Sequence, residues 1–376
     1  MTEPLEIVVL GLSLSSSWGN GHATTFRSLL RGLHELGHHV VFLERDEPWY
    51  AANRDLPTPD FCELRYYYGP EQLLSTHRDA IRRADAVIIG SYIPDGVKVI
   101  DTVLRLGSKL TAFYDIDTPV TLAKLGRGDE EYLAVRQVPE FDIYFSFTGG
   151  PTLNRLERAF GARRAVALHC CVDQDRYNNT GGPVRWDLGY LGTYSRDRQP
   201  TLERLLLTPA RLLPEMRFVV AGPQYPADID WPENVERIEH LPPTQHSAFY
   251  SSQRFTLNVT RADMIAAGWS PSVRLFEAAA CGVPIISDHW EGLGELLPDR
   301  EALLIARSTA DVVAALRELD DGECRALAAN AKARVLAGHT GRARAEELVA
   351  ELLAARERTK RACKNMAGRE AAAFSG

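Results

Sequence analysis

Short apolar runs alternate with amphipathic stretches along the chain. Ile7-Val8-Val9-Leu10 predicts a buried strand, with a Gly/Ser-rich turn behind it. Apolar residues then recur at Phe26, Leu29, Leu30, Leu33 and Leu36, the spacing of a helix that buries one face. Gly37 is placed to end that helix in the left-handed conformation. Further strands are predicted at 39–43, 86–89, 110–114 and 143–146. Strand, helix and strand joined by short connections imply right-handed crossovers and a parallel sheet covered on both faces.

The pattern pauses at 173–187, where Tyr177-Asn178-Asn179-Thr180-Gly181-Gly182-Pro183 is polar and turn-rich. It restarts with strands at 188–192, 217–222, 255–259 and 284–287, and one more is expected to end before His240. Ala-, Glu- and Arg-rich helices follow from about 309 to 360. The expected organisation is a first Rossmann-like domain at 1–172 and a second at 173–340. A helix at 341–360 would return toward the first domain, and 361–376 would form a frayed, disordered tail. Two doubly wound domains facing a central cleft would bring their carboxyl-end loops together there, where such sheets bind ligands.

Composition narrows the function. The chain has 376 residues, a formal net charge of -7 and 25% charged residues, and no basic run stands out in the folded part. Nucleic acid is not the expected partner, because phosphate-backbone binding needs a clustered basic surface. No segment approaches the length of a membrane-spanning helix and no leader pattern is visible, so a cytoplasmic protein is expected. Cysteines at 62, 170, 171, 281, 324 and 363 form no CxxC pair and read as reduced thiols. His169-Cys170-Cys171 has no fourth ligand at a helpful spacing, so it reads as buried strand residues and no metal is expected.

The most informative segment is Gly268-Trp269-Ser270-Pro271-Ser272-Val273-Arg274-Leu275-Phe276-Glu277-Ala278-Ala279-Ala280-Cys281-Gly282. A small-residue loop opens a helix near Ser272, and such a helix start suits a diphosphate. Glu277, a turn or so later, can accept hydrogen bonds from a ribose diol. The plainer reading makes Ser272 a helix cap and Glu277 a solvated helix residue. The segment resembles the donor-site signature of retaining GT-B glycosyltransferases, Glu-x7-Glu in a Gly-rich context. Arg-Leu-Phe-Glu-Ala-Ala-Ala-Cys-Gly followed by Ile-Ser-Asp is most similar to the CgeB-like (spore-protein) glycosyltransferase family. That resemblance, running from Trp18 to about Thr340, implies an α/β GT-B fold and metal-independent, hexosyltransferase-like activity on a nucleotide-diphosphate sugar, the co-substrate, with no further cofactor. It also implies that Glu277 binds the donor ribose, with Ser272, Val273 and Arg274 beside the diphosphate. Trp269 stands where the family carries its first glutamate, the one that touches the transferred sugar.

Leu191-Gly192-Thr193-Tyr194-Ser195-Arg196-Asp197-Arg198 follows the first strand of the second domain. Guanidinium forks suit phosphate oxygens, and two arginines at this spacing can bracket a diphosphate. The resemblance gives Arg196 and Arg198 that role, with Gly192, Thr193 and Tyr194 in the same loop. It places Gly222 and Leu241 in loops that contact the nucleobase through the backbone, and 288–292 with Glu295 near the sugar.

In the first domain, Trp18-Gly19-Asn20-Gly21-His22 links a strand to a helix. A neutral histidine at a helix start can serve as general base, and the turn resembles the Gly-x-Gly-His turn of inverting GT-B enzymes. Gly19, Asn20 and Gly21 would lie on the acceptor side; a locally bonded histidine is the alternative. Asp115 and Asp117 close another strand and are expected to point the same way, to orient an acceptor, act as base or partner His22. Their Asp-x-Asp spacing would suit a divalent ion in the GT-A fold, which the paired Rossmann pattern argues against. The expected function is glycosyl transfer from a nucleotide-diphosphate sugar to an acceptor the residues do not identify. A sugar-nucleotide epimerase of the same architecture and a non-catalytic sugar-nucleotide or glycan-binding protein are the alternatives.

Overall fold

A computed structural model describes residues 3–18 and 21–373, with side chains described as far as 361. The chain divides into two compact units, Met1–His169 with Gly341–Gly376, and Cys170–Thr340. The boundary thus falls ahead of the polar 173–187 segment, whose Tyr177 is buried within the second unit.

The first unit is built on seven parallel strands: β1 (Glu6–Gly11), β2 (His39–Arg45), β3 (Glu63–Tyr67), β4 (Ala86–Gly90), β5 (Thr111–Asp115), β6 (Ile143–Ser146) and β7 (Ala165–Ala167). Their order is β3-β2-β1-β4-β5-β6-β7. Consecutive β1 residues Ile7, Val8, Val9 and Leu10 are all buried, because helices cover both faces. The order reverses between β1 and β4, and the carboxyl ends of those strands are where such a sheet takes a ligand.

Helix α1 (His22–Glu35) is seated at this reversal by Phe26. A Cβ on Gly90 would come 3.0 Å from the Phe26 ring, and one on Gly11 would strike the Phe42 ring at 2.3 Å. His22 lies one turn before Phe26 on the same helix face, so this packing carries it to the strand ends. Helix α2 (Thr118–Gly126) starts just beyond β5.

The second unit repeats the plan with β8 (Trp186–Leu191), β9 (Phe218–Ala221), β10 (Val235–Ile238), β11 (Gln253–Asn258), β12 (Ile285–Ser287) and β13 (Leu304–Ile305), ordered β10-β9-β8-β11-β12-β13. Its reversal lies between β8 and β11. Helix α3 (Val273–Ala280) follows β11.

Helix α4 (Gly341–Ala373) belongs to the first unit. It lies tightly on α1, where a Cβ on Gly341 would meet the Ser28 carbonyl oxygen at 2.0 Å. Side chains cannot intervene there. The helix continues through 361–373, where the composition predicted a frayed tail. Cys170 and Cys171 are buried but follow β7 in irregular backbone, so they are not the strand residues expected.

Candidate functional site

At the second unit's reversal, Arg274 ties the two sides together. Its Nε donates to the Leu191 carbonyl at the end of β8 (2.5 Å), and Nη1 donates to Asn258 Oδ1 at the end of β11 (3.1 Å). The Ser272 hydroxyl also donates to Asn258 Oδ1 (2.9 Å). Ser272 occupies the N-cap position of α3, yet its side chain makes no cap bond. The plain capping role is therefore not the one adopted, and the first N–H groups of α3 face outward from the helix start with its positive dipole.

Arg198 donates through Nη2 to the Thr193 carbonyl (2.6 Å), while its Nε is buried without a hydrogen-bond partner among the described residues. Burial lowers the Arg198 pKa, and the positive charges of Arg274 and Arg261 press in the same direction. Three guanidinium groups thus crowd the loops that flank α3, an arrangement a bound anion would relieve. Arg196 is exposed on the same loop.

The wall beside this cluster is backbone. Gly222 has φ +140, and a Cβ there would lie 2.2 Å from the Gly192 carbonyl oxygen, so only glycine fits. The Tyr194 N–H donates to the Pro223 carbonyl (3.0 Å), and the Tyr194 ring meets the edge of Tyr225. Arg237 holds the same wall from behind, donating to the Val220 and Gly222 carbonyls with its guanidinium between Tyr225 and Trp231.

Glu277 is buried, against the solvated reading. Its Oε2 accepts a hydrogen bond from the Tyr250 hydroxyl (3.3 Å). Burial raises the Tyr177 pKa, and the nearby Glu277 charge raises it further. The Tyr177 hydroxyl also lies 3.2 Å from His246 Nδ1, and His246 Nε2 lies 3.3 Å from the Leu241 carbonyl. The loop at Leu241 is in this way linked to the neighbourhood of Glu277.

Trp269 has φ 42, a left-handed conformation seldom adopted by a large side chain. Its N–H donates to the Glu291 carbonyl (2.6 Å), and its indole Nε1 donates to Glu295 Oε2 (3.0 Å). The Trp269 indole thus holds a carboxylate from a different element.

In the first unit, His22 Nε2 lies 2.6 Å from Asp117 Oδ2. The Asp117 backbone carbonyl accepts from the Val120 and Thr121 N–H groups in α2 while its side chain turns to His22. His22 Nδ1 is buried and unpartnered among the described residues, whereas the Asp117 side chain keeps 32% of its surface exposed. Gly21 caps α1 with open space about its Cα. Gly19 and Asn20 lie outside the described residues.

Asp115 departs from expectation. It is fully buried, accepting from Tyr144 Oη (2.6 Å), Thr121 Oγ1 (2.7 Å) and the Asp117 N–H (3.1 Å). The two carboxylates point apart because Asp117 has already left the strand for the start of α2. Burial pushes Asp115 up to about 6. It braces the loop that presents Asp117 and does not line the acceptor side.

Sequence reasoning missed the acids that hold the β1–α1 loop. Glu44 is buried and accepts from the Leu14 and Ser15 N–H groups and from Ser15 Oγ. Asp55 accepts the Arg27 fork at 2.8 Å on both oxygens. Burial works to raise Asp55, but Arg27 and Ser17 outweigh it and hold the carboxyl well below its usual range. No sequence spacing marks these pairs. Asn258-Val259-Thr260-Arg261 leads into the informative 268–282 segment, but the sequence assigns Asn258 no role of its own, and Tyr250 and Tyr177 carried no signal. Among the described residues, no group of three or more His, Cys, Asp or Glu is placed to hold a metal ion, and no helix is long and apolar enough to cross a membrane.

Residues 198–350 match the family model described as glycosyl transferase-like. No curated protein matches the sequence. Solved structures match over most of the chain. A sucrose-phosphate synthase from Thermosynechococcus elongatus is 15% identical, with 93% of this chain and all of that one covered and a TM-score of 0.65. HepE of Anabaena, in complex with UDP and glucose, is 10% identical with the same coverage and a TM-score of 0.65. An alpha-glucosyltransferase in complex with UDP is 12% identical, again with 93% and 100% covered and a TM-score of 0.68. At such identities the likeness shows the fold, which is GT-B. Together with the family match, it supports glycosyl transfer from a nucleotide sugar.

Proposed function

We propose that the protein transfers a hexosyl group from a uridine diphosphate sugar to an acceptor bound by the first unit, as a CgeB-like enzyme without a resident metal. The observation that carries this is the Arg198, Arg261 and Arg274 cluster at the start of α3, on the β8/β11 reversal. The choice of UDP draws on the UDP-bound HepE and alpha-glucosyltransferase structures.

The diphosphate sits on the first N–H groups of α3 and the guanidinium of Arg198, and Arg196 reaches it from the exposed side of the loop. Gly192, Thr193, Tyr194, Gly222 and Leu241 bound the nucleoside, and Glu277 takes the ribose diol. As the bond between the sugar C1 and the phosphate oxygen breaks, the leaving diphosphate takes the electron pair. The arginines and the helix start stabilise that charge without a divalent ion. The acceptor hydroxyl bonds to C1 and its proton passes to Asp117, the exposed member of the His22–Asp117 pair. Trp269, in place of the family glutamate, keeps a second reading open, a protein that binds sugar nucleotides without turnover.

The test is UDP release from a panel of UDP-hexoses, with and without candidate acceptors. Acceptor-dependent release with a glycosylated product supports the transferase. Conversion of the sugar nucleotide alone would make the protein an epimerase, and binding without turnover a binding protein.

A further inference from the structure

Among the described residues, the Trp, Tyr and Phe side chains with half or more of their surface exposed are Trp18 (56%), Trp49 (50%) and Tyr68 (64%). Every other described Trp, Tyr or Phe ring is buried or half-buried. The three follow β1, β2 and β3, which are adjacent and parallel, so they share the carboxyl-end rim of the first unit's sheet. Trp18 stands four residues before His22.

The loops that carry them are fastened to one another. Ser16 Oγ donates to the Asn53 carbonyl (2.7 Å), the Leu56 N–H to the Ser15 carbonyl (2.9 Å) and the Ser17 N–H to Asp55 (2.9 Å). Asn53 Nδ2 in turn donates to the Trp49 carbonyl (2.7 Å). The loop after β2 is joined to β3 where the Asp46 N–H donates to the Tyr67 carbonyl (2.9 Å). These hydrogen bonds tie the described parts of the loops to one another, which lowers the ordering cost a ligand would bear. Three rings with half or more of their surface exposed on one rim mark a binding surface.

The polar groups on and beside the same loops indicate what binds. Arg54 pairs with Asp46 (2.5 Å), and Asp55 takes the Arg27 fork while keeping 45% of its side chain exposed. A lipid or a protein core would need continuous apolar surface, which these paired charges interrupt. A pyranose ring has a C–H face that stacks on a flat aromatic ring and an edge of hydroxyls that bond to carboxylate and guanidinium. We infer that this rim binds a carbohydrate chain of two or more sugar rings, so that the acceptor is an oligosaccharide. The inference rests on the transferase reading, with the first unit as the acceptor side.

The experiment titrates malto-, cello- and chito-oligosaccharides of two to six units into the full chain, read by saturation-transfer NMR and tryptophan fluorescence. UDP is titrated in parallel. The expected result is binding by at least one series, weakened tenfold or more in Trp49→Ala and in Tyr68→Ala, and retained in Trp49→Phe. UDP affinity should be the same in all of these proteins. No binding by any series, or equal binding by Trp49→Ala, would overturn the proposal, as would capture by phospholipid vesicles lost in the same variants. Failure of UDP to bind would instead strike the donor reading, whatever the rim does with saccharides.

Discussion

Nε2 of His22 lies 2.6 Å from Oδ2 of Asp117, while the other nitrogen of the same ring is enclosed without a partner among the described residues. This orients the pair with Asp117 outward. A histidine that served as base through Nδ1 would need that atom open to the acceptor, and it is shut in. The imidazole instead donates to the carboxylate and fixes its position.

Asp117→Asn should therefore lower kcat by a factor on the order of 100 while leaving UDP affinity intact, since it removes the proton acceptor and keeps the shape. His22→Ala should lower kcat less, because the carboxylate loses its positioning partner but survives. Steady-state kinetics on both variants, with the anomeric configuration of the product, checks this. Direct displacement inverts the configuration; full activity in Asp117→Asn would remove the residue as base.

Asp115 predicts a pH dependence of stability. Burial raises its pKa from 3.8 to about 6, so the folded chain holds the proton more tightly than the unfolded chain. The resulting stabilisation is fully present below 3.8 and is lost as pH rises through about 6, an effect on the order of 3 kcal/mol. Asp115→Asn has no carboxyl to ionise. Denaturation at pH 4 and pH 7 should show the variant gaining on the wild type as pH rises; parallel profiles would contradict this.

Arg274 predicts a binding defect from a conservative change. A lysine cannot donate at once to the Leu191 carbonyl and to Asn258 as the guanidinium does. Arg274→Lys should weaken UDP binding about tenfold, or about 1.4 kcal/mol, and lower the thermal midpoint. Calorimetric titration measures the first, and an unchanged Kd would mean that the two loops need no bridge.

The interior of the fold was legible and its edges were not. Strands buried on both faces, such as β1 and β4, read as continuous apolar runs. Nothing in the sequence marked β3, β7 or β13, and β10 was expected only as a strand ending before His240. All four are sheet edges; β7 and β13 are only three and two residues long, and β3 and β10 mix polar with apolar residues. At the site, glycines, serines and arginines near a helix start announced themselves because phosphate chemistry needs those types. Partners set by tertiary packing did not. Arg274 meets a carbonyl from a strand 83 residues away. Tyr177 sits in a segment whose composition reads as linker, yet its ring is buried. Asp115 and Asp117 looked equivalent until the chain's turn into α2 separated them.

The central claim is that a nucleoside diphosphate is held at the β8/β11 reversal of the second unit. Calorimetric titration of UDP into the wild type, Arg198→Ala, Glu277→Gln and the double variant tests it most directly. The account predicts binding by the wild type, at least tenfold weaker binding by each single variant, and none measurable by the double variant. Equal affinity in all four proteins, or no binding of UDP by the wild type, would contradict it.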